Sequence, residues 1–126
     1  MALKLSTGLR NKMLDTGSFK ATMDTCVLKL YGGTEPATAD ADCTASTLLC
    51  TIYNGNDGAT TLTFAASAAA GEITKTTSET WAGTNALSGT ASFYRLELGA
   101  DDQALSTTQV RVQGSIGTSG QELNLT

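Results

Sequence analysis

Two pairs of acidic residues are the first candidates for chemistry in this chain. Asp40 and Asp42 lie together in TEPATADADCTAS, and Asp101 and Asp102 adjoin in LGADDQ. Paired carboxylates bind Ca²⁺ when a loop spaces several oxygens around a turn glycine and a closing Glu. They hydrolyse glycosides when their environments push their pKa values apart. Neither loop has calcium spacing, and NGNDG (54–58) lacks the closing Glu. Nothing nearby supplies pKa tuning or a nucleophile. Asp and Asn are ordinary turn residues, and these are read as such. The chain has no histidine. That removes Ser-His-Asp triads, Cys-His dyads, HExxH zinc sites and two-Cys, two-His fingers. No catalytic residue, metal or cofactor is expected, and the chain is not read as an enzyme.

Three cysteines make poor material for a disulfide framework. Cys26 (TCVLKL) and Cys50 (LLCTI) fall in apolar stretches, where a thiol acts as a small hydrophobe. Cys43 lies in a polar loop and is expected to be the exposed one, with a Cys43 bridge as the minority alternative to three reduced thiols. The run Gly114 to Gly120 is glycine-rich, but strands flank it. A phosphate cradle needs a helix behind it, so this reads as a tight or bulged hairpin. Phe93 and Tyr94 are adjacent and must point to opposite faces of a strand. Aromatics more often anchor a core, and an exposed Phe93 beside Trp81 would instead mark an interface patch.

Composition narrows the function classes further. Thr, Ala, Gly and Ser number 22, 17, 13 and 10, together 62 of 126 residues. Eight basic against twelve acidic residues give a net charge of −4, which leaves no general footprint for nucleic acid. No apolar run reaches the ~18–20 residues that span a bilayer. The N-terminal MALKLSTGLRNKML has basic residues but no continuous apolar core, so it is not read as a signal peptide, and a cytosolic origin is expected.

The elements that must position these residues are mostly strands. Strands are expected at 27–31, 47–53, 60–65, 72–76, 91–98, 108–116 and 121–126, with Trp81 in a short strand or anchored loop. Threonines are expected on their outward positions. Asn-Gly in 54–58 signals a hairpin. Residues 6–15 can be helical, with Ser6 or Thr7 as cap, Leu9, Met13 and Leu14 on one face, and Gly17 at the end; a second turn is expected over 19–24. The class is all-β: a two-sheet β-sandwich, with a jelly roll as a variant, and a short N-terminal helical arm. The domain organisation is an arm over 1–25 and a β-sandwich over 26–126. The arm holds Lys4, Arg10, Lys12 and Lys20, and it either docks on a partner or packs on its own domain.

The succession LSTGLRNKML, TEPATADAD, LLCTI, TFAASAAAGEITKT, ETWAGT, SGTASFYRLELGADD and RVQGSIGTSGQELNL resembles small virion-associated proteins of tailed bacteriophages, over essentially the whole chain. The resemblance implies a structural protein of the particle, made in the host bacterial cytoplasm and placed on the capsid surface. It implies a capsid decoration (cement) protein of β-sandwich or jelly-roll fold that binds the assembled major capsid protein as a homo-oligomer, dimer or trimer. The expected contacts are Arg10, Lys12, Met13, Leu14, Phe19 and Lys20, the apolar ones as anchors and the cations against acidic capsid surface. A neck, tail or fibre-associated module is the alternative. A carbohydrate-binding module or adhesin, stacking sugars on Trp81, Tyr31 and Tyr53, is the second.

Overall fold

A computed structural model of the chain describes residues 3–84 and 86–125. Among these residues seven strands are formed: β1 (Lys4–Leu5), β2 (Cys26–Gly32), β3 (Thr47–Asn54), β4 (Trp81–Ala82), β5 (Phe93–Leu98), β6 (Arg111–Gly117) and β7 (Leu123–Asn124). Two helices, α1 (Thr7–Asp15) and α2 (Phe19–Met23), lie between β1 and β2. The strands join one sheet in the order β1-β6-β5-β2-β3-β4, with β7 also on β6. All pairs are antiparallel except β6–β7, which is parallel. The protein is thus mostly β. Its described strands build a single sheet, where the sequence suggested the two facing sheets of a sandwich or jelly roll.

The long strands are those with clear alternation, and they occupy the middle of the sheet. The edges are short, as natural sheets require to avoid pairing with other chains. On one edge, β1 and β7 share β6. On the other, β4 covers only the end of β3; farther along, Ala86 and Leu87 both donate to the Leu49 carbonyl. Gly83 fits here because a Cβ would strike the Thr51 carbonyl and the Cys50 thiol. A register shift between Leu30 and Tyr31 lets Leu48 face one side of the sheet and Cys50 the other.

Two expected strands, 60–65 and 72–76, are reduced to isolated bridges, Phe64 with Lys75 and Ala69 with Glu72. Side chains take the backbone groups that a ladder would need. Glu79 accepts from Thr63 N, and Asp24 accepts from Phe64 N. The glycine-rich run also differs from the expected hairpin, since β7 returns parallel to β6 after a turn through Gly120 at φ +70°. Among the described residues only Thr47 and Thr51 lie in strands; Thr7 and Thr22 are helical, and the rest belong to irregular chain rather than to outward strand positions.

One sheet face is apolar. Cys26, Leu28 and Leu30 of β2 register with Leu98, Leu96 and Tyr94 of β5, and Leu96 and Tyr94 with Val112 and Gly114 of β6. Gly114 leaves room for the Tyr94 ring, which a Cβ would meet at 2.7–2.8 Å. Leu9, Met23 and Leu62, all fully buried, roof this face together with Phe19 and Phe64. Each such burial contributes ~1.5–3 kcal/mol. Of the two placements expected for the N-terminal segment, its base takes the one against its own domain. β1 pairs with β6, Leu9 and Met23 enter the core, and Ser6 is buried.

Candidate interaction surface

The opposite sheet face is polar and equally buried. Lys29, Tyr31, Phe93, Arg95, Glu97, Arg111 and Gln113 alternate with the apolar set on three neighbouring strands, and none is more than 5 % exposed. Chain over 33–46 and 99–110 roofs them. Arg111 reaches Asp101 through Nε and Nη2, both at 2.7 Å, and donates to the carbonyls of Ala39 and Ala104. Lys29 Nζ lies 3.0 Å from Glu97 Oε1, which also accepts from Tyr31 Oη at 2.9 Å. Arg95 donates to Gln113 Oε1 and the Ala41 carbonyl, and Gln113 to the Pro36 carbonyl. Among the described residues, Arg95 Nη1 and Glu97 Oε2 have no hydrogen-bond partner.

Burial decides the protonation behaviour here. It pushes the Glu97 carboxyl above its ordinary value, with Lys29 opposing. It also works to raise Asp101, but the hydrogen bonds from Arg111 and Gln103 outweigh it and hold that carboxyl low. Burial and Glu97 push the Tyr31 phenol upward.

The acidic pairs of the sequence are thereby assigned to structure. Asp40 accepts from Thr7 N at 2.8 Å and Thr7 Oγ1 at 2.6 Å at the start of α1. Asp42 closes a turn on Thr44, Asp101 holds Arg111, and Asp102 accepts from Ala104 N. Among the described residues, no three Cys, Asp or Glu side chains are placed to hold a metal ion, and no helix is long and apolar enough to cross a membrane.

Cys43 is buried where exposure was expected, and Phe93 anchors a core rather than an interface patch. Phe93 is fully buried and stacks on Tyr31, centroids 5.0 Å apart and 9° from parallel. Cys43 packs beside both under the 33–46 roof. All three cysteines are buried and free. Trp81 is half-buried, edge-on to Phe64, with Nε1 donating to Glu79 at 2.7 Å. Phe93 and Trp81 form no exposed patch. The ring of Tyr31 is likewise inside.

The N-terminal candidates divide into two groups. Phe19 packs edge-on to Phe64 at 5.6 Å, and Lys20 pairs with Asp24 and donates to the Phe64 carbonyl, so both are engaged internally. Arg10, Lys12, Met13 and Leu14 remain outside. Ser6 fixes where α1 begins: its Oγ accepts from Leu9 N and Arg111 N and donates to the Gln109 carbonyl. Gly8 lies so close to the Thr108 and Gln109 carbonyls that only glycine fits. Only this first turn touches the sheet; every residue from Arg10 to Thr16 is exposed. The expected face of Leu9, Met13 and Leu14 is split: Leu9 is fully buried, Met13 is 42 % exposed and Leu14 is 86 % exposed. Comparison with family models, with curated proteins and with solved structures finds no match.

Proposed function

We propose that this chain is a structural protein of a tailed-phage particle, a decoration (cement) protein that binds the assembled major capsid protein through α1. The observation that carries the reading is the outer surface of α1. A helix whose exposed residues include Leu14 and Met13 beside two cations, on a base locked into a rigid sheet, has the make-up of a protein contact. The resemblance of the sequence to virion-associated proteins supports the particle as its setting. Many copies, each adding a modest contact, stabilise a shell by linkage and multivalency. A homo-oligomer, dimer or trimer, belongs to this reading; half-buried Leu28, Ile52 and Tyr94 offer apolar area to a second copy.

Truncating the N-terminus would remove Leu9 and Ser6 from the core, so a surface substitution is the sounder test. Leu14→Glu leaves the sheet untouched. Burying a leucine is worth ~1.5–3 kcal/mol, so co-sedimentation of the variant with expanded capsids should weaken roughly tenfold to a hundredfold. Unchanged binding removes α1 from the mechanism.

A further inference from the structure

Arg10 is an exposed residue on a helix, where a long side chain ordinarily samples many rotamers. Here it is tethered. Arg10 Nη2 donates to Thr7 Oγ1 at 2.9 Å, and that hydroxyl donates onward to Asp40 Oδ2 at 2.6 Å. A hydroxyl has one proton to give; with it directed at Asp40, the lone pairs are left for Arg10. Asp40 is anchored in turn, its carbonyl accepting from Ser106 N at 2.9 Å and Arg111 Nη1 at 3.4 Å. The relay therefore ends in the buried charged layer. Thr7, Arg10 and the Met13–Leu14 pair follow one another at three- and four-residue spacing, which sets the guanidinium beside the two exposed apolar side chains.

Charge points to the same helix. Among the described residues, the exposed cations without a carboxylate at ion-pair distance are Arg10, Lys12 and Lys75. Lys75 donates to the carbonyls of Thr76 and Glu79. The remaining two are both on α1.

Resting on the docking reading above, we propose that Arg10 is the specificity-determining cation of α1, preorganised by Thr7 and Asp40 to receive a carboxylate at the rim of an apolar pocket on a protein partner. The N–H groups not used by Thr7 form a planar donor set suited to a carboxylate. Holding the side chain in place beforehand lowers the ordering cost of binding. Lys12 adds charge without that geometry.

The test uses the full-length protein and two readouts. In the free protein, ¹⁵N relaxation of the Arg10 Nε–H group is expected to report an ordered side chain, made mobile by Thr7→Val. With expanded capsids, Arg10→Lys and Thr7→Val should each weaken binding about tenfold, the worth of one good charge-assisted contact. In an Arg10→Ala background, Thr7→Val should add nothing. Equal cost of Thr7→Val with and without Arg10, or an Arg10 as mobile in the wild type as in Thr7→Val, overturns the proposal. If Leu14→Glu abolishes binding while the Arg10 variants leave it intact, the proposal fails and the docking reading stands. If the wild type does not bind, or Leu14→Glu also binds normally, the docking reading fails and the partner assigned here falls with it.

Discussion

Asp101→Ala is the sharpest probe of how the charged layer holds its roof. Asp101 is 3 % exposed and Arg111 is fully buried. The substitution removes both carboxylate oxygens from Arg111 Nε and Nη2, and one acceptor from Gln103 N at 2.9 Å. Arg111 cannot turn to water. Its other carboxylate neighbour is Glu97, at 3.9 Å and already paired with Lys29. Breaking a buried ion pair by deleting one partner costs about 3–5 kcal/mol. The carbonyls of Ala39 and Ala104 still receive Arg111, so the lower part of that range, about 3 kcal/mol, is the expected loss. A domain's whole stability is roughly 5–15 kcal/mol, so this is a large share. With a urea m-value of about 1–3 kcal/mol per molar, the midpoint should fall on the order of 1.5 M. Arg111→Met combined with Asp101→Leu leaves no unpaired charge from this pair and should be more stable than the sum of the single effects implies. A loss below about 1 kcal/mol for Asp101→Ala, or strictly additive single and double variants, would refute the account of the layer.

Three further outcomes are expected. Because the folded state holds the Asp101 pKa below its ordinary value, ionised Asp101 stabilises the fold above the unfolded pKa of ~3.9, and that contribution is lost as pH falls from there through the depressed value. Urea midpoints against pH should lose this acid-side decline in Asp101→Asn, and an unaltered slope speaks against it. Gly8→Ala drives a Cβ into the Thr108 and Gln109 carbonyls and should cost about 1–3 kcal/mol, read by thermal melting; a neutral effect means α1 is not seated as described. Burial pushes the Cys26 thiol up to about 12 and raises Cys43 and Cys50 as well. Thiol-reactive disulfide reagents should therefore find no reactive cysteine in the native protein and three per chain in denaturant; fast native labelling of Cys43 would show that the 33–46 roof opens.

The parts of the fold that could be read in advance are those where one local signal decides. Alternation placed β2, β3, β5 and β6 to within a few residues, and Ser6 and Ser18 cap the helices where short hydroxyl side chains precede helical runs. β1 is two residues long and carries no period to detect. The alternating TTLTF of 60–64 looks like a strand, yet the N–H groups of Thr63 and Phe64 go to the side chains of Glu79 and Asp24, far away in sequence. Periodicity also says that a strand has two faces without saying which of them meets water. Polar residues at alternate strand positions usually face water, yet Arg111 and Gln113 are fully buried. A signal was present: Lys29, Arg95, Glu97 and Arg111 are charges of both signs in strands otherwise short of charge, and register brings them together. Only pairing order, which the sequence does not state, turns that coincidence into a cluster.

This inversion explains the surface. A chain with 16 % charged residues has few to distribute. Here Lys29, Arg95, Glu97, Asp101 and Arg111 are inside, and Arg95 and Arg111 fasten irregular, small-residue chain to the sheet by donating to its carbonyl oxygens. Such fastening makes few demands on the side chains of the roof, which can stay small and neutral. It also converts loops into a rigid base, and α1 is tied to that base at Ser6, Gly8, Leu9 and Asp40. Arg10, Lys12, Met13 and Leu14 then stand as the place where cationic and apolar groups face solvent together on an immobilised helix. The charge drawn into the sheet is thus what gives that helix a fixed direction, and a fixed direction is what a contact of modest area needs to be specific.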